Sequence, residues 1–436
     1  IGSALIAALL ASLPLLGGET PAGSQASGPK SGVRLAVVTG LRDQETLDVL
    51  ALAEIRISSM EGVALLERKD LDPVLAEHEL TLSGLVDATM ALRLGKLLTV
   101  DLLAVVEGDP KAAKHAVWGL VVFDARTGAR LFDEAIAATP ADKAVDAIDR
   151  GVRTAAAKHR LGREKLRTLS VPSVRNVDLP LEQDVVCGAL GRLLEQRLTA
   201  SPDLAVLERR YLEHVLRERA ASPDAPANAL LASMNTVQLE LSRRGENGIS
   251  VAAILDVMGR EPRRVEVLAA DGLNAAMADA LASRILDELQ ATDSKGTPNR
   301  RMDALRMIEE AEYHLQNRHY DESLACAEAS LALEPDDPTI WGRAAGCFAA
   351  WIEVTIQAWP KTQLREGPYR FRLTPPSEEE HERTTALFLR TVELWIKCRE
   401  WEIVRGGLRR ERPEHALTGH LGCLHAIDSQ RNSRTA

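Results

Sequence analysis

"LERKDLDPVLAE" at residues 66–77 and "LERRYLEHVLRE" at residues 207–218 are one phrase written twice. Leu66, Glu67 and Arg68 stand in register with Leu207, Glu208 and Arg209. Downstream, Leu71, Val74 and Leu75 repeat as Leu212, Val215 and Leu216, both at helical spacing. Each phrase closes a short β-type run, "VALLE" (63–67) or "LAVLE" (204–208). An internal duplication is the simplest account, and it decides the fold class: α/β, twice over.

Working outward from the first copy, "VRLAVV" (33–38) reads as a strand, and residues 43–60 have helical spacing. Asp70 suits the N-cap of a short helix over 70–80, and Pro73 is tolerated in its first turn. "DATMALRLGKLL" (87–98) is a further helix. Strands follow over 101–108, 115–124 and 129–137, with "DARTG" (124–128) as a hairpin connection and a helix running to about Arg160. The second copy has a strand over 166–171, a helix over 182–200, the strand at 204 and a short helix over 210–220. "TVQLELS", "GISVAAILDV", "RRVEVLA" and a helix over 274–290 complete it. It lacks a counterpart of "LTLSGLVD" (80–87), and "ASPDAPANALLASMN" stands there instead.

"TDSKGTPNRR" (292–301) has linker composition, and the chain beyond it is helical. "AEYHLQNRHYDESLACAEASLALEPDD" (311–337) resembles a tetratricopeptide repeat. Ala311, Tyr320, Ser323, Ser330 and Pro335 fall at that repeat's small, aromatic and helix-ending positions, and Trp341 and Ala345 begin a second unit. "WPKTQLREGPYRFRLTPPSEEE" (359–380) interrupts the pattern. Helix pairs of this kind bury their faces by stacking, and the groove they form holds peptides or proteins.

The 436 residues are 45% hydrophobic, ample for several cores, but only 3% aromatic. A net charge of -10 has the wrong sign for a phosphate-backbone binder, and the basic run "LRRER" (408–412) reads as a solvated helix face. "ALIAALLASLPLLGG" (4–18) is an apolar run of signal-peptide length followed by small and polar residues, so export is expected. It is shorter than the ~20 residues a spanning helix needs. The five cysteines show no C-x-x-C spacing and no disulfide framework.

Catalytic patterns fail one by one. "RLGKLL" has Gly95 and Lys96, but Met90 and Leu97 stand where a phosphate loop needs Gly and Ser or Thr. "HERTT" (381–385) lacks the second histidine of a zinc-protease helix, and Glu67 and Glu208 each precede an arginine, which reads as a charge pair at a strand end. His415, His420, Cys423 and His425 are weak metal candidates: four ligands in eleven residues, at no common zinc spacing, among Leu417, Leu421 and Leu424. No cofactor is expected.

The run from Val63 to Gly108 resembles the CsgG/HfaB-type α/β domain of curli secretion. The resemblance rests on Glu67, Arg68, Leu71, Leu75, Glu77, Leu80, Ser83, Gly84, Leu85, Asp87, Leu94 to Leu98, Asp101 and Gly108. It implies a non-catalytic domain of the bacterial envelope. Its pore-forming members insert β-hairpins into the outer membrane, but the connections 107–115 and 124–129 are too short to hold a spanning hairpin. In "ELTLSGLVD", Leu80, Leu82, Ser83, Gly84, Leu85 and Val86 read as an apolar loop between two helices, either packed within the domain or touching a subunit or partner.

The expected order is a leader (1–31), two tandem CsgG-like α/β domains (32–163 and a degenerate 164–291), a linker (292–300) and a tetratricopeptide-like helical domain (301–436). The expected role is a non-enzymatic scaffold in the periplasm or at the outer membrane. Its expected partners are envelope proteins or itself, not nucleic acid, and its contact with membrane is peripheral or through the leader. The alternative is an exported protein that binds a small ligand or glycan between the two α/β copies.

Overall fold

The computed structural model describes residues 32–67, 69, 71, 88–108, 117–180, 183–207, 235–245, 248–257, 259–269, 273–293, 299–363, 371–373 and 377–404. The first half runs β1 (Val33–Thr39), α1 (Gln44–Ser58), β2 (Val63–Leu65), α2 (Ala88–Leu98), β3 (Leu102–Glu107), β4 (Val117–Asp124), β5 (Arg130–Ala137) and α3 (Ala141–Arg160). The second runs β6 (Arg167–Asn176), α4 (Asp184–Thr199), β7 (Leu204–Leu207), β8 (Asn235–Arg244), β9 (Gly248–Asp256), β10 (Arg263–Ala269) and α5 (Ala275–Leu289). Then come α6 (Arg300–Gln316), α7 (Tyr320–Leu333), α8 (Pro338–Ala358) and α9 (Glu378–Val404). The architecture is α/β followed by helices.

The strands β1 to β10 form one mixed sheet, ordered β10-β9-β8-β6-β7-β5-β4-β3-β1-β2. Each half repeats the same neighbours and senses. β1 is parallel to β2 and β3, and β4 and β5 then alternate; β6 is parallel to β7 and β8, and β9 and β10 then alternate. The register repeats too: Leu35 pairs with Leu65 and Leu102, and Leu169 pairs with Val206 and Asn235. The halves meet where β5 runs antiparallel to β7 at Arg130 and Val206. Lateral order is kept while strand direction inverts, so a half-turn about the sheet's lateral axis relates them. The helices therefore change sides. Ala205 and Leu207 of β7 join the core beneath α1 and α3, while Leu204 and Val206 face α4 and α5.

Composition explains the cores. β3 and β4 are buried along their whole lengths, as apolar runs covered on both faces must be. The opposite face of the first half packs Ala36, Val38, Leu103, Val105, Val121 and Phe123 against Leu94 and Leu98 of α2. Gly95, which the sequence offered as a weak phosphate-loop glycine, lets α2 touch the β4–β5 turn. A Cβ there would lie 2.4 Å from that of Ala125. The α1 N-terminus is capped by Asp43, whose carboxylate accepts from the Thr46 amide at 2.8 Å. The interruption at 359–380 contains a two-stranded antiparallel ribbon, Lys361–Gln363 with Phe371–Leu373, which the sequence pattern did not reveal.

Candidate functional site

The densest concentration of charge is buried where the helical region meets the sheet. α6 is buried on two sides: Ala304, Ile308 and Ala311 pack among the helices, while Arg306 and Glu310 are buried against the sheet and α4. The Arg306 side chain is 3% exposed. It lies flat on β4 at Gly119, where a Cβ would come within 2.6 Å of its Nε, so only glycine admits it.

Around Arg306 the sheet presents two carboxylates. Asp133 of β5 binds its guanidinium directly, and Glu107 of β3 lies 3.4 Å away. Glu310, one turn along α6, places Oε1 2.9 Å from Nε. Two more arginines close the group: Arg130 reaches Asp133 at 2.5 Å, and Arg192 of α4 donates to both oxygens of Glu310 at 2.7 and 3.0 Å. Three cations thus face three carboxylates, and strands of the first half, a helix of the second and a helix of the C-terminal region all contribute.

The balance decides the protonation states. Burial alone would raise the Asp133 carboxyl, but the guanidinium groups of Arg306, Arg130 and Arg192 hold it well below the usual carboxylate range. Burial opposes the charge on Arg306 as well, and Asp133, Glu310 and Glu107 overcome it. Glu310 is lowered against its own burial by Arg192 and Arg306. Asp303, at the rim and bonded to Gln196 at 2.8 Å, goes the other way: burial outweighs the pull of Arg306 and raises it to about 6. Asp133, Glu310, Arg192 and Arg306 are all held in their charged forms. Such a set holds elements together rather than shuttling protons. A shallow cleft opens beside it, lined by Glu107, Gly108, Gly119, Arg306, Glu309 and Tyr313.

The residues singled out from the sequence fall elsewhere. Ala311 and Ala345 are fully buried in the helical core, Ser323 is 1% exposed, and Tyr320 packs against that core from its rim. The Pro335 carbonyl accepts from Trp341 Nε1 at 2.7 Å, tying the α7–α8 turn to the start of α8. Ser330 donates to the Ala304 carbonyl at 2.7 Å, joining α7 to α6. Glu67 pairs with Lys69 at 2.5 Å on the surface. Leu80, Leu82, Ser83, Gly84, Leu85 and Val86 lie outside the described residues, as do His415, His420, Cys423 and His425. Among the described residues no three His, Cys, Asp or Glu side chains are grouped to hold a metal ion, and no helix is long and apolar enough to cross a membrane.

Sequence reasoning missed the Arg306 cluster. No local signal marked it: Arg306 and Glu310, four residues apart, fall on the side of α6 turned away from Ala304, Ile308 and Ala311, where such a pair reads as solvated. Comparison of the chain with protein-family models, with curated proteins and with solved structures finds no match.

Proposed function

We propose that the chain is a non-enzymatic scaffold of the cell envelope. In this reading two CsgG-like α/β copies, products of an internal duplication, carry a tetratricopeptide-like array that recruits a protein partner. It is an assembly component rather than a pore. The observation that carries the reading is the buried six-charge cluster. It fastens α6 to β3, β5 and α4 at once, so the helical array is mounted on the sheet as a fixed arm. The repeated strand order supports the duplication, and Ala311 and Ala345, one repeat period apart and equally buried, support the array. Export rests on the apolar run at 4–18.

The alternative, a ligand or glycan bound between the α/β copies, has less room. β5 and β7 pair directly, and Arg306 fills the space beside their junction. Affinity purification of the tagged full-length protein from crosslinked envelope fractions, with mass spectrometry, tests the proposal. A fixed set of envelope proteins is the expected result. A protein recovered alone, or only from the cytosol, overturns it.

A further inference from the structure

The helix α1, "QETLDVLALAEIRIS", carries apolar residues on its outward side as well as its inward one, where they alternate with Gln44 and Asp48. Its inward face, Val49, Leu50, Ala53 and Ile57, is buried against the sheet and α3. Yet Leu52 is 53% and Ile55 68% exposed, Ala51 is exposed beside them, and Leu47 is half-buried. A surface helix ordinarily turns its polar residues to water, so large apolar side chains left on that side mark a contact surface.

The second half shows what a cover over such a surface looks like. α4 occupies the place of α1, and Thr199 and Leu204 flank its closing turn as Ser58 and Val63 flank that of α1. Alignment on this turn sets Gly188, Arg192 and Gln196 opposite Leu47, Ala51 and Ile55. Those three α4 positions are the ones that meet the helical region. Gly188 lies under Ala325 of α7, Arg192 binds Glu310 and Gln196 binds Asp303. On α1 the same stripe is apolar, and none of the described helices α6 to α9 covers it.

We infer that this stripe is a self-association surface, and that its occupant is α1 of a second copy in antiparallel pairing. The small side chain of Ala51, midway along the stripe, permits close approach of two helices. The charges run the right way. Glu45 near the N-terminal end and Arg56 near the C-terminal end lie on one flank, so an antiparallel two-fold pairing about Ala51 sets Glu45 of each copy beside Arg56 of the other. A parallel pairing turns that flank away from its counterpart and gives Glu45 and Arg56 no such match. Arg56, already bonded to Asp146 of α3, is held on that flank. An isologous contact of this kind closes as a dimer and leaves the helical array free.

Sedimentation equilibrium of the full chain at micromolar concentration is the test. Twice the chain mass is expected, and Ile55→Asp should shift the protein to monomer with an unchanged circular dichroism spectrum. Glu45→Lys should weaken the dimer at least tenfold, and adding Arg56→Glu should restore it. Ala51→Cys should give a covalent dimer on mild oxidation, absent from the wild type. A monomeric wild type at 100 times the working concentration overturns the proposal. So does a dimer indifferent to Ile55→Asp, or one in which the charge swap fails to rescue.

Discussion

At matching positions of the two half-sheets, opposite solutions appear. In the first half, Glu107 on β3 and Asp133 on β5 receive an arginine from outside the sheet, and α6 seals them. The shared register puts Glu240 of β8 at the place of Glu107 and Arg264 of β10 at the place of Asp133. There the sheet neutralises itself: Arg264 binds Glu240 at 2.8 Å and Arg175 of β6 binds it at 2.7 Å. One face needs a partner element and the other does not. A single exchange of carboxylate for guanidinium on an outer strand separates a docking face from a wet one.

The sharpest way to break the comparison is to remove the guest arginine. Arg306→Ala leaves Asp133, Glu107 and Glu310 buried beside two arginines, and a broken buried pair costs about 3–5 kcal/mol. Urea unfolding should show that loss, with the signal of the helical region uncoupled from that of the sheet. An unchanged midpoint would mean that the cluster is solvated and fastens nothing. Gly119→Ala attacks the same contact from the sheet side. Its added methyl would stand 2.6 Å from Arg306 Nε, and Arg306 is held by Asp133 and Glu310, so a cost of about 1–3 kcal/mol is expected from overpacking. In an Arg306→Ala background the same substitution should cost little, and the double-mutant cycle measures that coupling.

Much of this architecture was legible in the sequence, and the reasons are local. The alternation of apolar runs with helical spacing placed β1 to β10, and "DARTG" located the β4–β5 hairpin because Asp124 accepts from the Arg126 and Thr127 amides as a turn aspartate does. The repeated "LER" phrase located the equivalent β2 and β7. The joining of the halves into one sheet was not legible. The seam is a single registered pair between β5 and β7, held by Lys158, Arg192 and Arg306, residues from three distant helices. No periodicity encodes a contact between Asp133 and Arg306, which are 173 positions apart. The pattern of α6 points the other way, because Arg306 and Glu310 lie across the helix from Ala304, Ile308 and Ala311 and read as its solvated side.

The seam provides a pH-dependent test. Lys158, in the last turn of α3, is 2% exposed and donates to the carbonyls of Thr199 at 2.6 Å and Leu204 at 3.1 Å across the junction. Burial lowers its pKa to about 7, against the weaker pull of Asp203 and Glu134. A neutral amine still has two hydrogens for the two carbonyls. Between pH 7 and about 10 the unfolded chain therefore holds a proton that the folded one has released, so stability rises with pH across that window. Below pH 7 both states are protonated and the slope vanishes. Lys158→Met should flatten the rise in urea midpoint between pH 7 and pH 10. α5 ends one turn earlier, at Leu289, so the second half carries no equivalent lysine.

The smallest effect belongs to the self-neutralised face. The Glu240 side chain is 22% exposed, and its partners Arg175 and Arg264 are 67% and 55% exposed. Solvent screens such pairs, and their measured worth is typically 0.2–1 kcal/mol. The Glu240 carboxyl is lowered chiefly by the hydrogen bond from Arg264. Glu240→Gln should therefore shift the urea midpoint slightly, and the shift should fade in 0.5 M salt. The matching Glu107→Gln should cost more and keep more of its cost in salt, because the Arg306 and Glu107 side chains are only 3% and 6% exposed. Equal costs for the two substitutions, or equal salt dependence, would erase the distinction between the sealed half and the open one. Unequal costs would assign the sheet's own share of the attachment to the first half, beside the share carried by α4.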